Sequence, residues 1–291
     1  MNWIEAGYKL LEPLYELYIK LILETHYLHV DETKLKVLDR EKKGTTHQGY
    51  YWVYYDGIQK NALFKYAPGR DGAWPKETLS DFEGYMQVDG YEGYSQFKTN
   101  DQIKVMHCWA HVRRKFFEIQ GLYQEQAAYI LTEIQKLYTI ERHCREEKLT
   151  DEQIVVYRQE YAKPILITLF NTLKEYQSQE ILPSSPLGKA INYTLNLWDG
   201  LEIYLEKGYL QIDNNPVENS IRPVAIGRKN YLFAGSHKGA ERSAMFYSFF
   251  AACKNHNVEP QAWLKYVLEN INEYKLSELH QMLPQNYKQV E

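Results

Sequence analysis

The chain has 291 residues, of which 44% are hydrophobic and 25% charged; this is enough for a large globular core and excludes extended disorder or a fibrous repeat. Its formal net charge of −4 argues against a protein that coats DNA through bulk positive charge, although a local basic surface stays possible. No apolar run is long enough to span a bilayer, and the N-terminus lacks the features of a signal peptide. The three cysteines form no CxxC pair, so we expect a cytoplasmic protein without a membrane partner.

The first elements alternate between a helix and strands. Leucines at three- and four-residue spacing predict an amphipathic helix that ends near residue 24. Three strands are predicted to follow, in YLHVDETKLKVLD, GYYWVYYDG and NALFKYAP. The Asp56-Gly57 turn signal separates the last two strands, so we expect these three to be antiparallel.

Two further strands complete the predicted sheet. A helical stretch at 73–82 precedes a strand in GYMQVDGY, and a short helix at 91–97 precedes a strand in IKVMHCWA. The resulting order, βββαβαβ, is that of the ribonuclease H-like fold. We therefore predict an α/β protein with a mixed sheet.

Long helical patterns then interrupt this core. Residues 113–208 show helical periodicity without a strand signal, and they predict a large all-helical insertion. The chain is thus divided into four predicted segments: an N-terminal helix (1–24), the first part of the core (25–112), the insertion (113–208), and the second part of the core with the C-terminal helices (209–291).

Three acidic residues are the candidates for chemistry. Asp31 and Asp89 lie in similar apolar strand contexts, LHVD and MQVD, and Glu218 follows Asn215-Pro216, a pair typical of a helix start. A carboxylate in a buried strand needs a partner, and Mg²⁺ or Mn²⁺ prefers such hard oxygen ligands; two such ions can assist displacement at phosphorus. Taken singly, however, each Asp is more often a turn former or salt-bridge partner, and the Glu is equally typical of a helix first turn.

At this point several motifs resemble a known family. HVDET, QVDGYEGY, HCWAHVRRKFFE and IDNNPVENSIRPVAIGRKNYLFAGSHKGAERSA are similar to the insertion sequence 66 family of bacterial DDE transposases, and the resemblance extends over nearly the whole chain. It implies a ribonuclease H-like catalytic core in which Asp31, Asp89 and Glu218 are the metal-binding catalytic triad. The implied reaction is metal-dependent cleavage and strand transfer of DNA, with two Mg²⁺ or Mn²⁺ ions as cofactors.

Two basic segments are candidates for DNA binding, since cations pair with phosphates and aromatic rings stack on unpaired bases. The first is the run Arg113, Arg114 and Lys115. The second lies in residues 219–242, has Tyr231 and Phe233 interleaved, and contains Arg222, Arg228, Lys229, Lys238 and Arg242. The simpler alternative is that these side chains form a solvated face.

Other interpretations stay open at this level. His107, Cys108 and His111 do not have the second ligand pair expected of a zinc site, and His111 is better placed near the active site. The family's N-terminal DNA-binding region has no match here, so we also consider a hydrolytic nuclease of the same fold and a catalytically inactive DNA-binding remnant. The resemblance further implies a homo-oligomer on DNA, with accessory proteins of the element as possible partners.

Overall fold

The alternation of helices and strands begins as the sequence predicts. A computed structural model describes residues 3–38, 44–179 and 181–287. The described strands are β1 (Tyr27–Leu38), β2 (Thr46–Asp56), β3 (Ala62–Ala67), β4 (Gly84–Val88) and β5 (Ile103–His107). The α-helices are α1 (Trp3–Leu23), α2 (Ala73–Thr78), α3 (Trp109–Ile119), α4 (Gln124–Glu146), α5 (Asp151–Tyr157), α6 (Lys163–Ser178), α7 (Pro186–Asn196), α8 (Trp198–Glu202), α9 (Asn215–Gly227), α10 (His237–Asn255) and α11 (Pro260–Asn270). A π-helical turn joins α5 to α6 at Arg158–Ala162, and a 3₁₀ helix lies between β4 and β5 at Glu92–Thr99.

The chain divides into two units, which are described separately. Unit 1 consists of residues 1–84 and 216–291, and unit 2 consists of residues 85–215. This division differs from the four predicted segments, because β5 and most of β4 belong to the same unit as the helices of 113–208. No helix in the described parts of the chain is both long and apolar enough to cross a membrane.

Unit 1 is built on an antiparallel ladder. β1 pairs with β2 and β2 pairs with β3, both antiparallel, which confirms the prediction for these strands. The turn after β2 is held by Asp56, whose carboxylate accepts hydrogen bonds from the Ile58 and Gln59 amides at 2.8 and 3.0 Å. Such a turn is the usual role of Asp between two strands.

One face of this ladder is covered by two helices. The buried cluster on that face contains alternate residues of β1, β2 and β3 together with one stripe of α9 and of α10: Leu35, Val37, Tyr51, Val53, Tyr55, Ala62, Phe64, Val217, Ile221, Val224, Ala240 and Ala244. The period of two in the strands and of three to four in the helices places these side chains against one another. Apolar burial therefore fixes α9 on the sheet.

Unit 2 contains β4 and β5, which are neighbouring strands, and the helices α3 to α8. Residues 113–208 contain no strand among those described, as the helical pattern predicts. A buried ion pair lies among these helices: Arg158 donates to both carboxylate oxygens of Glu141, at 2.8 and 2.7 Å. The element order βββαβαβ is present, while membership of the ribonuclease H-like fold stays a prediction.

Candidate active site

Asp31 lies on the helix-covered face of the unit 1 sheet. It is directly opposite Val53 in the β1–β2 register, and residues directly opposite in an antiparallel pair project to the same face. Val53 belongs to the buried cluster beneath α9 and α10. Asp31 itself is half-buried, and its Oδ1 accepts a hydrogen bond from the Glu32 amide at 2.8 Å. The Asp31 carboxylate is therefore oriented by the backbone of the next residue, on the sheet face that α9 covers.

Glu218 lies in the first turn of α9, the helix that covers this face. It is half-buried and follows the fully buried Val217. Its helical neighbours Pro216 and Asn219 line a pocket of about 720 Å³ with Tyr55, which is the cross-strand partner of His29. The start of α9 is thus level with the part of β1 just before Asp31, so these two predicted carboxylates share one face of unit 1.

The start of α9 is fixed by a side chain that the sequence analysis left without a role. The helix begins at Asn215, whose backbone and side-chain amides both donate to the Asp213 carboxylate, at 3.1 and 2.7 Å. Asn215 is thus the first residue of the helix, and Asp213 accepts a hydrogen bond from its backbone and one from its side chain. Burial raises the pKa of Asp213 above its usual range, and the hydrogen bond from the Asn215 amide, which lowers the pKa, offsets only part of this increase.

The segment before Asn215 is attached to β4 and to the start of α3 within unit 2. The Gln87 side chain donates to the Gln211 carbonyl at 3.0 Å, and the Trp109 amide donates to the Ile212 carbonyl at 3.1 Å. The Asn214 amide donates to the Cys108 sulfur at 3.2 Å. Residues 211–215 thus run beside the strand that leads to Asp89, with Gln87 only two residues before that carboxylate.

Asp89 follows β4 directly and is half-buried. Its Oδ1 accepts a hydrogen bond from the Tyr91 amide at 2.8 Å, so this carboxylate is oriented by backbone in the way that Asp31 is. The carbonyl oxygen of Asp89 lies 3.2 Å from Nδ1 of His107, which is buried. Burial, with Lys98 as a smaller contribution, lowers the pKa of His107 to about 4, so this imidazole is neutral at pH 7.

Gly90 leaves room for an aromatic ring beside Asp89. A Cβ at this position would lie 2.6 Å from the ring of Tyr193, so no larger residue fits without a shift. Burial and the nearby Asp89 raise the pKa of Tyr193 to about 12. The ammonium of Lys115 lies 5.2 Å from the centre of the same ring. The Tyr193 ring therefore lies between the Asp89 segment and Lys115, which belongs to the first basic segment.

The chemistry of the three carboxylates fits a hard cation such as Mg²⁺ or Mn²⁺, because each offers oxygen ligands from a half-buried position. Within residues 3–38, 44–179 and 181–287, the structure contains no group of three or more His, Cys, Asp or Glu side chains arranged to hold a metal ion. Asp31 and Glu218 belong to unit 1 and Asp89 to unit 2. The metal therefore enters only as a proposal below.

The predicted DNA-binding residues are in different situations. Arg113, Arg114 and Lys115 are exposed on α3 in unit 2. In unit 1, exposed positions are occupied by Arg222, Lys229 and Lys238. Arg242 is half-buried and pairs with Glu5 at 3.3 Å, with its guanidinium over the ring of Tyr8. Its cation is therefore partly used within the protein.

Arg228 has an anchoring role that its sequence context does not reveal. Its guanidinium donates to the Thr33 hydroxyl at 3.0 Å and to the Lys34 carbonyl at 2.6 Å, both in β1. The segment after it returns to the same strand, where Ala234 and β1 exchange backbone hydrogen bonds of 2.8 Å. The predicted phosphate ligand thus fastens the end of α9 to the strand that carries Asp31.

Comparisons with known proteins agree with these motifs. The family described as "Transposase IS66 family" matches residues 1–242, and the "IS66 C-terminal element" matches residues 248–285. The chain is 29% identical over 96% of its length to the uncharacterized protein y4hP of Sinorhizobium fredii, and 32% identical over 96% to y4jD of the same organism. It covers 54% and 57% of those two proteins, so it spans about half the length of the relatives it matches. No solved structure matches the chain.

Proposed function

Because the chain belongs to the IS66 family of transposases, we propose that it cleaves and joins DNA strands, with Asp31, Asp89 and Glu218 as the catalytic carboxylates. Family membership over residues 1–242 carries this proposal, because the family is one of transposases and the match includes all three residues. The position of Asp31 and Glu218 on one face of unit 1 supports the proposal.

The cofactor in this proposal is a pair of Mg²⁺ or Mn²⁺ ions, held by the carboxylates of Asp31, Asp89 and Glu218. When bound, such ions supply positive charge at the attacking and leaving oxygens of a phosphodiester. The donor set is suited to these ions because carboxylate oxygens are their preferred ligands. The neutral imidazole of His107 adds no positive charge beside Asp89.

The protein's own contribution is the orientation of these groups. The Glu32 amide donates to one oxygen of Asp31 and the Tyr91 amide to one oxygen of Asp89, so each of these carboxylates is partly oriented before a ligand binds. Glu218 is held through α9, which is fixed on the sheet by Val217, Ile221 and Val224. Pre-ordered groups of this kind reduce the entropy that a reaction has to lose.

Two displacements at phosphorus account for the proposed activity. In the first, a water oxygen attacks the phosphodiester at the end of the element; the bond to the 3′-oxygen breaks and a 3′-hydroxyl is released. In the second, that hydroxyl attacks a phosphodiester of the target, and the target strand leaves with its own 3′-hydroxyl. Each step exchanges one P–O bond for another, so no covalent protein intermediate is required. A homo-oligomer on DNA and accessory proteins of the element stay predictions.

A plasmid-nicking assay tests the three carboxylates. We expect Asp31→Asn, Asp89→Asn and Glu218→Gln each to reduce Mn²⁺-dependent DNA cleavage by about a hundredfold or more, because each removes a charged ligand. Thermal melts with and without Mn²⁺ accompany the assay. The wild type should melt higher with the metal, since an ion that binds only the folded state stabilises it.

Matched controls make the same chemical changes elsewhere in unit 1. Asp81→Asn and Glu241→Gln alter exposed carboxylates and should leave cleavage unchanged. If the three candidate variants melt lower than wild type yet cleave DNA at the wild-type rate, the carboxylates have structural roles and the proposed triad is wrong. Cleavage without joining of a labelled 3′-end to a second DNA would instead indicate a nuclease.

A further inference from the structure

Two adjacent apolar side chains project from unit 1 at the end of the loop after α9. Leu232 is 82% exposed and Phe233 is 41% exposed. Single exposed apolar residues are ordinary on protein surfaces. An adjacent pair at a loop tip is different, because both side chains remain in water and contribute no apolar burial to the folded protein. These two residues, called here the apolar tip, therefore need a different explanation.

The apolar tip is held firmly on both sides. On one side, Arg228 donates to Thr33 and Lys34. The Tyr231 hydroxyl lies 3.2 Å from the Tyr247 hydroxyl, and the Tyr231 amide donates to the Gly227 carbonyl at 3.1 Å. Tyr231, which the sequence suggested as a base-stacking ring, is thus engaged within the protein.

On the other side, Ala234 is bonded to β1. Its amide donates to the Lys36 carbonyl and its carbonyl accepts from the Leu38 amide, both at 2.8 Å, and it forms a parallel bridge with Val37. Only two residues separate Tyr231 from Ala234. Leu232 and Phe233 are therefore presented from a loop whose two ends are fixed to secondary structure, and this rigidity suits a side chain that has to push into another molecule.

The charge around the tip indicates what that molecule is. Residues 219–242 carry five basic side chains and one acidic side chain, Glu241, a net charge of +4. Lys229 is exposed three residues before Leu232, and Lys238 is exposed shortly after Phe233. By contrast the similarly exposed Leu276, at 77%, lies between Lys275 and Glu278, where the charges cancel. An apolar tip between cations matches DNA, whose phosphates border a stack of apolar bases.

We propose that Leu232 and Phe233 form a wedge that inserts between base pairs of a DNA duplex, while Lys229 and Lys238 contact the flanking phosphates. Proteins that insert Leu or Phe between base steps unstack the bases and kink the duplex. The cost of unstacking is lowest where a base pair is mismatched or already open, so a wedge prefers such DNA. The proposal rests on the proposed function only in that the ligand is DNA; it requires no cleavage.

The test compares binding of the full chain to two labelled duplexes that differ in one central mismatch. We expect wild type to bind the mismatched duplex about tenfold more tightly, and to raise the fluorescence of 2-aminopurine placed beside the mismatch. Leu232→Ala and Phe233→Ala should each reduce the preference to about twofold or less. Leu232→Met, which keeps a large apolar side chain, should retain it.

Two further variants separate the wedge from its surroundings. Lys229→Ala should weaken binding to both duplexes equally and reduce the salt dependence, because it removes a phosphate contact rather than an inserted group. Leu276→Ala removes an equally exposed leucine and should change nothing. Circular dichroism and melting temperatures confirm that each variant is folded.

The outcomes distinguish this proposal from the proposed function. If wild type shows the mismatch preference but never cleaves DNA with Mn²⁺, the catalytic proposal fails and the wedge stands. If wild type cleaves DNA while Leu232→Ala keeps the full preference and the 2-aminopurine signal, the wedge is wrong and the catalytic proposal is unaffected. The wedge is also overturned if wild type binds neither duplex, or if Leu232→Ala changes only the oligomeric state measured by light scattering.

Discussion

The two units hold their candidate carboxylates in place by different kinds of interaction. In unit 1, α9 with Glu218 is held on the sheet by buried apolar side chains such as Val53, Val217 and Val224. In unit 2, the approach to Asp213 is held by the Arg158 guanidinium, which is 2% exposed. That group donates to Glu141 and to the carbonyls of Tyr204, Lys207 and Leu210.

The difference predicts how each unit responds to change. Apolar packing tolerates side chains of similar volume, and the cost of a smaller one grows with the cavity it leaves. A buried charge tolerates little, because removing one partner leaves the other without compensation. We therefore expect one substitution at the buried charge of unit 2 to cause a large loss of stability, and single substitutions in the apolar interface of unit 1 to cause smaller losses.

The largest effect is expected at the buried ion pair. Arg158→Met should lower the free energy of unfolding by about 3–5 kcal/mol, because Glu141 is left buried without its cation and three carbonyls lose a donor. Denaturant unfolding followed by circular dichroism measures this change. Arg142→Met, at an exposed position one residue after Glu141, is the matched control and should cost less than about 0.5 kcal/mol.

A double variant sharpens this prediction. Glu141→Leu with Arg158→Met removes both charges, so the unpaired carboxylate no longer contributes to the loss. Stability should be regained only in part, since the three carbonyls still lack their donor. Full recovery would show that the ion pair alone matters, and that the guanidinium does not hold residues 204–210.

A smaller effect is expected in the apolar interface of unit 1. Val224→Ala should lower the free energy of unfolding by about 2 kcal/mol, because two buried methyl groups are lost and a cavity is left beneath α9. The same measurement applies, with Val156→Ala as the control at a side chain 65% exposed. Equal losses in both variants would mean that α9 does not depend on this packing.

Cysteine labelling shows which unit opens in these variants. Cys108 and Cys144 lie in unit 2 and Cys253 in unit 1, and all three are buried. Burial raises the pKa of Cys108 and of Cys253 to about 12, so little reactive thiolate is present in the folded protein at pH 8. Arg158→Met should accelerate labelling mainly at Cys108 and Cys144, and Val224→Ala mainly at Cys253. Uniform acceleration would mean that the two units open together.

The smallest effect is expected at Asp213, where the carboxylate accepts hydrogen bonds from the backbone and side-chain amides of Asn215, the first residue of α9. Because burial raises its pKa above the unfolded value, protonation favours the folded protein; this stability is complete at pH below the unfolded pKa and is lost as the pH rises through the folded pKa. Asp213→Asn keeps one acceptor oxygen but does not titrate. As the pH rises through the folded-state pKa of Asp213, the free energy of unfolding of this variant should therefore increase relative to that of wild type, by no more than about 1 kcal/mol.

Melting temperatures of wild type and Asp213→Asn across the acidic range measure this difference. Asp213→Ala serves as the comparison, because it removes the acceptor and should melt lower than the Asn variant at every pH. If the difference between wild type and Asp213→Asn does not change with pH, the carboxylate is not the titrating group.

Local patterns predicted most of the elements because their physical basis is local. The period-two alternation of β1 placed Asp31 on the same face as Leu35 and Val37, and the leucine spacing of α1 predicted a helix that ends within one residue of the observed end at Leu23. The helix start at Asn215-Pro216 was also predicted, but the two hydrogen bonds from Asn215 to Asp213 were not. Asn and Asp side chains both form such turns, so only the geometry of the folded segment shows which of them accepts the hydrogen bond.

The roles of the cations could not be predicted in this way. Arg228 and Arg158 look alike in sequence, as basic residues among polar neighbours. One fastens a loop to a strand 194 residues away, and the other is buried against a carboxylate and three carbonyls. A long side chain finds its partner through the folded chain, and no spacing rule encodes that partner.

By itself, the sequence determined the order of strands and helices, the family, and the three carboxylates proposed for catalysis, because periodicity and motifs reside in neighbouring residues. Only the tertiary structure decided that Asp31 shares a face with α9, that Tyr231 is engaged by Tyr247 while Leu232 is left exposed, and that Asp213 accepts hydrogen bonds from the first residue of α9. These facts depend on residues far apart in the chain, which only burial of the shared core brings together.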